Sequence, residues 1–111
     1  MARPGTRAPH LYVEHAGKRI STLDLFGRNF VFLAGSEAKA WRDAASAAAQ
    51  ELEIDLDIYA IEADAFPNAF GIAASGAVLV RPDGFVAWRA KSDQSVSRSA
   101  LLEPLRAILK V

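Results

Sequence analysis

The sequence predicts an α/β fold in which a central mixed β-sheet is flanked by helices and preceded by a β-hairpin. A continuous apolar run, Phe30 to Leu33, is typical of a strand covered on both faces. An Ala-rich segment with apolar residues at helical spacing follows, from Ser36 to Leu52. The pattern from Gly76 to Arg89, with turn residues Pro82 to Gly84 at its centre, predicts an antiparallel hairpin.

Composition limits the classes of protein that this chain can be. With 111 residues, 51% hydrophobic and 23% charged, it has the size and composition of one soluble domain. It contains no cysteine, which excludes disulfides, thiol redox chemistry and zinc–thiolate sites. No apolar run is long enough to cross a membrane, and the first residues lack the apolar core of a signal peptide. We therefore predict a cytoplasmic protein with no membrane partner.

The charges are unevenly distributed although the net charge is zero. Basic residues prevail over residues 1–28, and acidic residues prevail between Glu37 and Asp64. Solvated helix and loop faces account for this distribution, and docking on another protein is the functional alternative. The concentrated basic stripe that nucleic-acid binding needs is absent, so we predict no nucleic-acid partner.

The N-terminal part is predicted to be a connector followed by a hairpin. Residues 1–10 contain two prolines, which favour an extended connector, and residues 11–111 form the single domain. Leu11–Glu14 and Arg19–Ser21 alternate as short strands around a turn with Gly17. The next residues, Thr22–Gly27, predict one helical turn.

Ser36 is expected to be the N-cap of the long helix, because a serine hydroxyl can accept a hydrogen bond from the free N–H groups of the first turn. Trp41 and the alanines at helical spacing form its buried face. Leu56 to Ile61 then returns as a strand, which should pair parallel to Phe30–Leu33 because a helix connects the two.

The second half completes the sheet. A loop or short turn is expected around Pro67, followed by strands at Gly76–Arg81 and Phe85–Arg89. Apolar residues between Leu101 and Leu109 define the last helix, which either starts late or kinks because Pro104 lies inside the pattern. The order β-hairpin, β, α, β, loop, β, β, α is that of a thioredoxin-like fold.

The junction after the first long strand carries no thiol nucleophile. Thioredoxin-like enzymes need a cysteine there, and this chain has Gly35 and Ser36. The stretch from Phe70 to Val80 resembles the thioredoxin segment that runs from an aromatic-Gly-Ile motif through the cis-proline into a strand, and this resemblance implies that Gly76 stands at the place of that proline. Ser36 could act as a nucleophile only beside a base, and the two histidines, His10 and His15, lie far upstream. A small stand-alone enzyme with a cleft near Gly35, Ser36 and Gly76 is therefore the alternative hypothesis.

Two tryptophans are candidates for an aromatic pocket. Core packing is the expected role of Trp41. Trp88 lies two residues after Val86, so the two side chains are expected on one face of their strand. His10 and His15 lack a third ligand at a useful spacing, so we predict no metal site.

Several motifs in order resemble the C-terminal domain of FAD-dependent aromatic hydroxylases, the phenol and polyketide hydroxylases of the group A flavoprotein monooxygenases. The matching stretches are Arg3 to His10, Leu23 to Gly27, Phe30 to Gly35 and Gly76 to Arg89, of which Val80 to Arg89 is the most specific.

This resemblance implies a non-catalytic domain with a structural or protein-interaction role, with no catalytic residue and no bound cofactor of its own. The chain would be either a piece of such an enzyme or a free-standing relative of its last domain. It implies that FAD and substrate bind in upstream domains, and the chain has no Gly-x-Gly-x-x-Gly fingerprint. The expected partners are those upstream domains or a separate protein, and an exposed sheet edge could support a homodimer. The candidate docking residues lie in the connector: Arg3, Pro4, Gly5, Arg7, Pro9 and His10.

Overall fold

The computed structural model describes residues 12–15, 18–22, 29–61, 66–92 and 98–109. Within these ranges the chain follows the predicted order, with one helix added. The elements are β1 (Tyr12–His15), β2 (Lys18–Ser21), β3 (Phe30–Gly35), α1 (Lys39–Leu52), β4 (Leu56–Ile61), α2 (Phe66–Phe70), β5 (Ala77–Val80), β6 (Val86–Ala90) and α3 (Arg98–Leu109).

The main sheet has four strands in the order β4-β3-β5-β6. β3 pairs parallel to β4, from Phe30 opposite Leu56 to Gly35 opposite Ile61, while β3–β5 and β5–β6 are antiparallel. β1 and β2 form a separate two-stranded antiparallel sheet. The predicted mixed sheet and N-terminal hairpin are therefore confirmed, and the architecture is thioredoxin-like.

The two faces of the sheet carry two separate cores. Side chains alternate along a strand, so Phe32 and Leu33 of β3 point to opposite sides. On one side the α2-side core contains Val31, Leu33, Ile61, Phe66, Phe70, Ile72, Val78, Val80 and Val86. On the other side the α1/α3-side core contains Phe32, Ala34, Ala38, Trp41, Ala45, Ala48, Ala77, Leu79, Leu101 and Leu105. Alanines on α1 allow that helix to approach the sheet closely.

Helix α1 begins later than predicted, and Ser36 is not its N-cap. The helix starts at Lys39 after Ala38, and no side chain caps it. The chain makes a tight turn first, in which the Ala38 N–H donates to the Gly35 carbonyl at 3.1 Å, and Ser36 is exposed. The Glu37 N–H donates to the Ala74 carbonyl at 3.0 Å, so a neighbouring segment supplies an acceptor that the sequence assigned to Ser36.

A short helix, α2, stands where a loop or short turn was expected around Pro67. Phe66 and Phe70 are both buried, with ring centroids 4.9 Å apart, because residues four apart lie on the same side of a helix. Pro67 is accepted because the first N–H groups of a helix have no partner within it.

Helix α3 does not start late. It begins at Arg98 and includes Pro104, which removes one N–H from the helical ladder. Leu101 and Leu105, on either side of the proline, are fully buried against the sheet. Tertiary packing therefore overrides the unfavourable helix propensity of proline, which is about 3 kcal/mol relative to alanine.

A bulge in β6 overturns the expectation that Val86 and Trp88 share a face. Trp88 pairs with Leu79 and Val86 pairs with Val80, so Ala87 is an extra residue without an opposite partner. Because Leu79 and Val80 are neighbours, their partners point to opposite sides. Val86 belongs to the α2-side core and Trp88 packs against the α1/α3-side core.

Some predictions lie outside the described residues. They are the connector over residues 1–10, the turn with Gly17 between the first two strands, and most of the helical turn at Thr22–Gly27.

Replacing Phe32 by alanine is expected to lower the free energy of unfolding by about 3–5 kcal/mol, because it removes a fully buried ring from the α1/α3-side core. The matched control is Ser36→Ala, which should change that free energy by less than about 0.5 kcal/mol, since the hydroxyl caps nothing. Urea unfolding followed by tryptophan fluorescence measures both. A loss of about 1 kcal/mol in Ser36→Ala would instead indicate a side-chain cap.

Candidate functional site

The structure brings Gly35 and Gly76 together at the end of β3, as the alternative hypothesis requires. The Gly35 N–H donates to the Gly76 carbonyl at 3.0 Å. The Gly76 N–H in turn donates to the Ala73 carbonyl at 2.9 Å, and the Ala73 N–H donates to the Lys91 carbonyl at 2.7 Å. Backbone hydrogen bonds therefore hold the segment before β5 between the end of β3 and the residues that follow β6.

Both glycines are required by contact with neighbouring backbone. A Cβ atom at Gly35 would overlap the Ala74 carbonyl oxygen, far inside van der Waals contact. A Cβ atom at Gly76 would lie 2.5 Å from the Ala90 carbonyl oxygen and 2.9 Å from Cβ of Ile72. We call this arrangement of Gly35, Gly76 and the 73–76 segment the backbone lock. Neighbouring backbone thus occupies the position that a side chain would take at either glycine.

Ser36 does not complete a catalytic group. Its side chain is exposed on the turn that leads into α1, while the two glycines beside it are buried. Within the described ranges no group of three histidine, aspartate or glutamate side chains is placed to hold a metal ion. The geometry therefore gives no support to a stand-alone enzyme that uses Gly35, Ser36 and Gly76.

The candidate aromatic pocket is a packed cluster. Trp41 is 1% exposed and meets Trp88 edge to face, with ring centroids 5.1 Å apart. Phe32 stacks on Trp88 at 5.9 Å. The Trp41 indole Nε1–H donates to the Ser92 carbonyl at 2.8 Å, which satisfies its polar atom inside the core. Trp41 thus has the core role predicted for it and ties α1 to the end of β6.

Arg89 has a structural contact that the sequence did not reveal. Its Nη1 donates to the Phe70 carbonyl at 3.3 Å, which joins β6 to the C-terminal end of α2. A cation at a helix C-terminus is favourable because the last carbonyl groups have no partner within the helix. Together with the contacts at Lys91 and Ser92, this bond makes residues 89–92 a meeting point of α1, α2 and the backbone lock.

The turn between β5 and β6 is ordered by its own polar groups. The Arg81 N–H donates to the Phe85 carbonyl at 2.8 Å, and the Gly84 N–H donates to the Arg81 carbonyl at 2.9 Å. Asp83 accepts from the Phe85 N–H at 3.2 Å and pairs with Arg81 at 2.5 Å. The ion pair is about half exposed, so its contribution to the free energy of unfolding is small. The role of the two residues is to order the turn.

The candidate docking residues Arg3, Pro4, Gly5, Arg7, Pro9 and His10 all lie outside the described residues, so their role stays a prediction. Among the described helices, none is both long and apolar enough to cross a membrane.

Gly35→Ala is expected to lower the free energy of unfolding by about 3 kcal/mol, because the added methyl group overlaps Ala74 and breaks the bond to Gly76. Gly84→Ala is the control. Its φ of 88° makes alanine unfavourable by about 1–2 kcal/mol, but no atom stands in the way. Urea unfolding of the two variants should rank Gly35→Ala as the more damaging. Equal losses of unfolding free energy in the two variants would mean that the cost at Gly35 does not come from overlap with Ala74.

Arg89→Met, which keeps an aliphatic side chain of similar length, should cost about 1–2 kcal/mol of unfolding free energy through the lost bond to the Phe70 carbonyl. Arg81→Met removes a surface ion pair and should cost less than about 1 kcal/mol. Thermal and urea unfolding compare the two, and a larger loss at Arg81 would contradict the assignment.

Comparison with known proteins identifies the family to which this chain is similar. The model of the aromatic-ring hydroxylase C-terminal family matches residues 1–110. The chain is 40% identical to 4-methyl-5-nitrocatechol 5-monooxygenase of Burkholderia sp. over 98% of its own length and 21% of that protein. It is 39% identical to tetracenomycin A2 monooxygenase-dioxygenase of Streptomyces glaucescens, over 96% of the chain and 20% of that protein. The chain thus spans about a fifth of the length of these curated relatives.

A solved structure agrees. The crystal structure of aklavinone-11 hydroxylase, in a ternary complex with FAD and aklavinone, superimposes with a TM-score of 0.91 at 38% identity. The superposition covers 99% of this chain and 22% of that one. With a family match over nearly all of its residues and the same fold in a solved relative, the chain belongs to the aromatic-ring hydroxylase family, as its C-terminal domain.

Proposed function

We propose that this chain is the C-terminal part of a longer FAD-dependent monooxygenase that hydroxylates an aromatic ring, in which it serves as a non-catalytic structural and interaction domain. The observation that carries the proposal is the extent of the sequence match to the relatives. The match covers nearly all of this chain but only about a fifth of each relative. The remaining four fifths of the relatives have no counterpart in this sequence, and we assign FAD and substrate binding to that part.

The described geometry supports a scaffold role. The end of β3, where thioredoxin-like enzymes place their reacting group, is filled by the backbone lock. The aromatic side chains that could have lined a pocket pack against each other in the α1/α3-side core. A fold alone carries no activity, so the thioredoxin-like architecture gives no reason to expect thiol chemistry from a chain without cysteine.

The relatives support a role that is independent of the substrate. Those named for a nitrocatechol, for 2,4-dichlorophenol and for tetracenomycin A2 are 40%, 41% and 39% identical to this chain. Proteins named for three different compounds thus resemble this chain to nearly the same extent, over nearly all of its length. We infer that substrate choice belongs to the upstream part and that this domain performs a task common to the whole group.

The connector is the proposed site of attachment to the upstream domains. Arg3, Arg7 and His10 supply hydrogen-bond donors, while Pro4 and Pro9 restrict the backbone and reduce the entropy lost on docking. Docking of a separate protein, or a homodimer through a sheet edge, is the alternative assembly. We also propose a cytoplasmic location, which fits a chain without cysteine.

The purified 111-residue chain is expected to be colourless, without disulfide reductase or peroxidase activity, because neither a flavin site nor a thiol lies within it. An antibody against the chain should detect a polypeptide several times larger in the source cell, and that polypeptide should carry FAD. Absorbance spectra of the 111-residue chain and of the larger polypeptide measure the flavin bound to each. Stoichiometric flavin on the 111-residue chain would falsify the non-catalytic assignment.

Replacing both Arg7 and His10 by alanine should weaken docking without unfolding the domain. In the longer polypeptide we expect faster proteolysis between the domains and a lower unfolding temperature, whereas the isolated chain should unfold as before. Lys39→Ala, which removes an exposed cation on α1, is the matched control. It should change neither the rate of proteolysis nor the unfolding temperature, in the longer polypeptide or in the isolated chain. If the double variant destabilises the isolated chain to the same extent, the two residues serve the domain itself and not its docking.

A further inference from the structure

We draw no further inference here: the strongest candidate, the surface at the α1–β4 edge of the sheet where exposed Glu51, Glu53 and Asp55 alternate along the chain with half-buried Leu52, Ile54 and Leu56, carries nothing because an acidic cluster alone is not a site and nothing in the described residues shows what covers it.

Discussion

Strands β3 and β5 lie at the centre of the sheet and are buried on both faces, and the rest of the structure depends on this constraint. Neither strand contains a charged residue, and every residue of β5 is buried. A sheet of this kind must be covered on each side, since apolar area left in water costs about 25 cal/mol per Å². Helices α1 and α3 cover one face and α2 contributes to the cover of the other. Most of the large apolar side chains that the structure describes are thereby used to hold the domain together.

The same constraint explains where the charged and polar groups of the domain act. Arg89 and the Trp41 indole both donate to backbone carbonyls. The Arg89 bond joins β6 to the end of α2, and the Trp41 bond joins α1 to Ser92, just after β6. These contacts stabilise the relative positions of the elements and point to no ligand. Among the described residues, these two polar side chains support the architecture of the domain, which agrees with the non-catalytic role proposed for it.

The sheet could be predicted because each of these strands has a characteristic local sequence pattern. The apolar run of β3, the return at β4 and the turn residues of the β5–β6 hairpin were each sufficient for a correct strand and pairing. The errors arise where a distant segment supplies the deciding contact. Ser36 was predicted to be an N-cap, but the Glu37 N–H donates to the Ala74 carbonyl of a distant segment. Val86 and Trp88 were predicted to share one face of their strand, but the bulge at Ala87 places them on opposite faces. Glycine at positions 35 and 76 could be read as turn chemistry, whereas close backbone contact is the reason for it.

The backbone lock bears on how such a domain can evolve. In a site formed by side chains, one substitution can open a pocket or introduce a reactive group. Here two main-chain segments touch directly, so Ser36→Cys would place a thiol on an exposed turn while the bond between Gly35 and Gly76 stayed intact. An enclosed reaction centre at this place would require the 73–76 segment to move away from β3, which breaks the hydrogen bonds that the Gly35 and Glu37 N–H groups donate to it. A single substitution therefore does not create an enclosed thiol site in this domain.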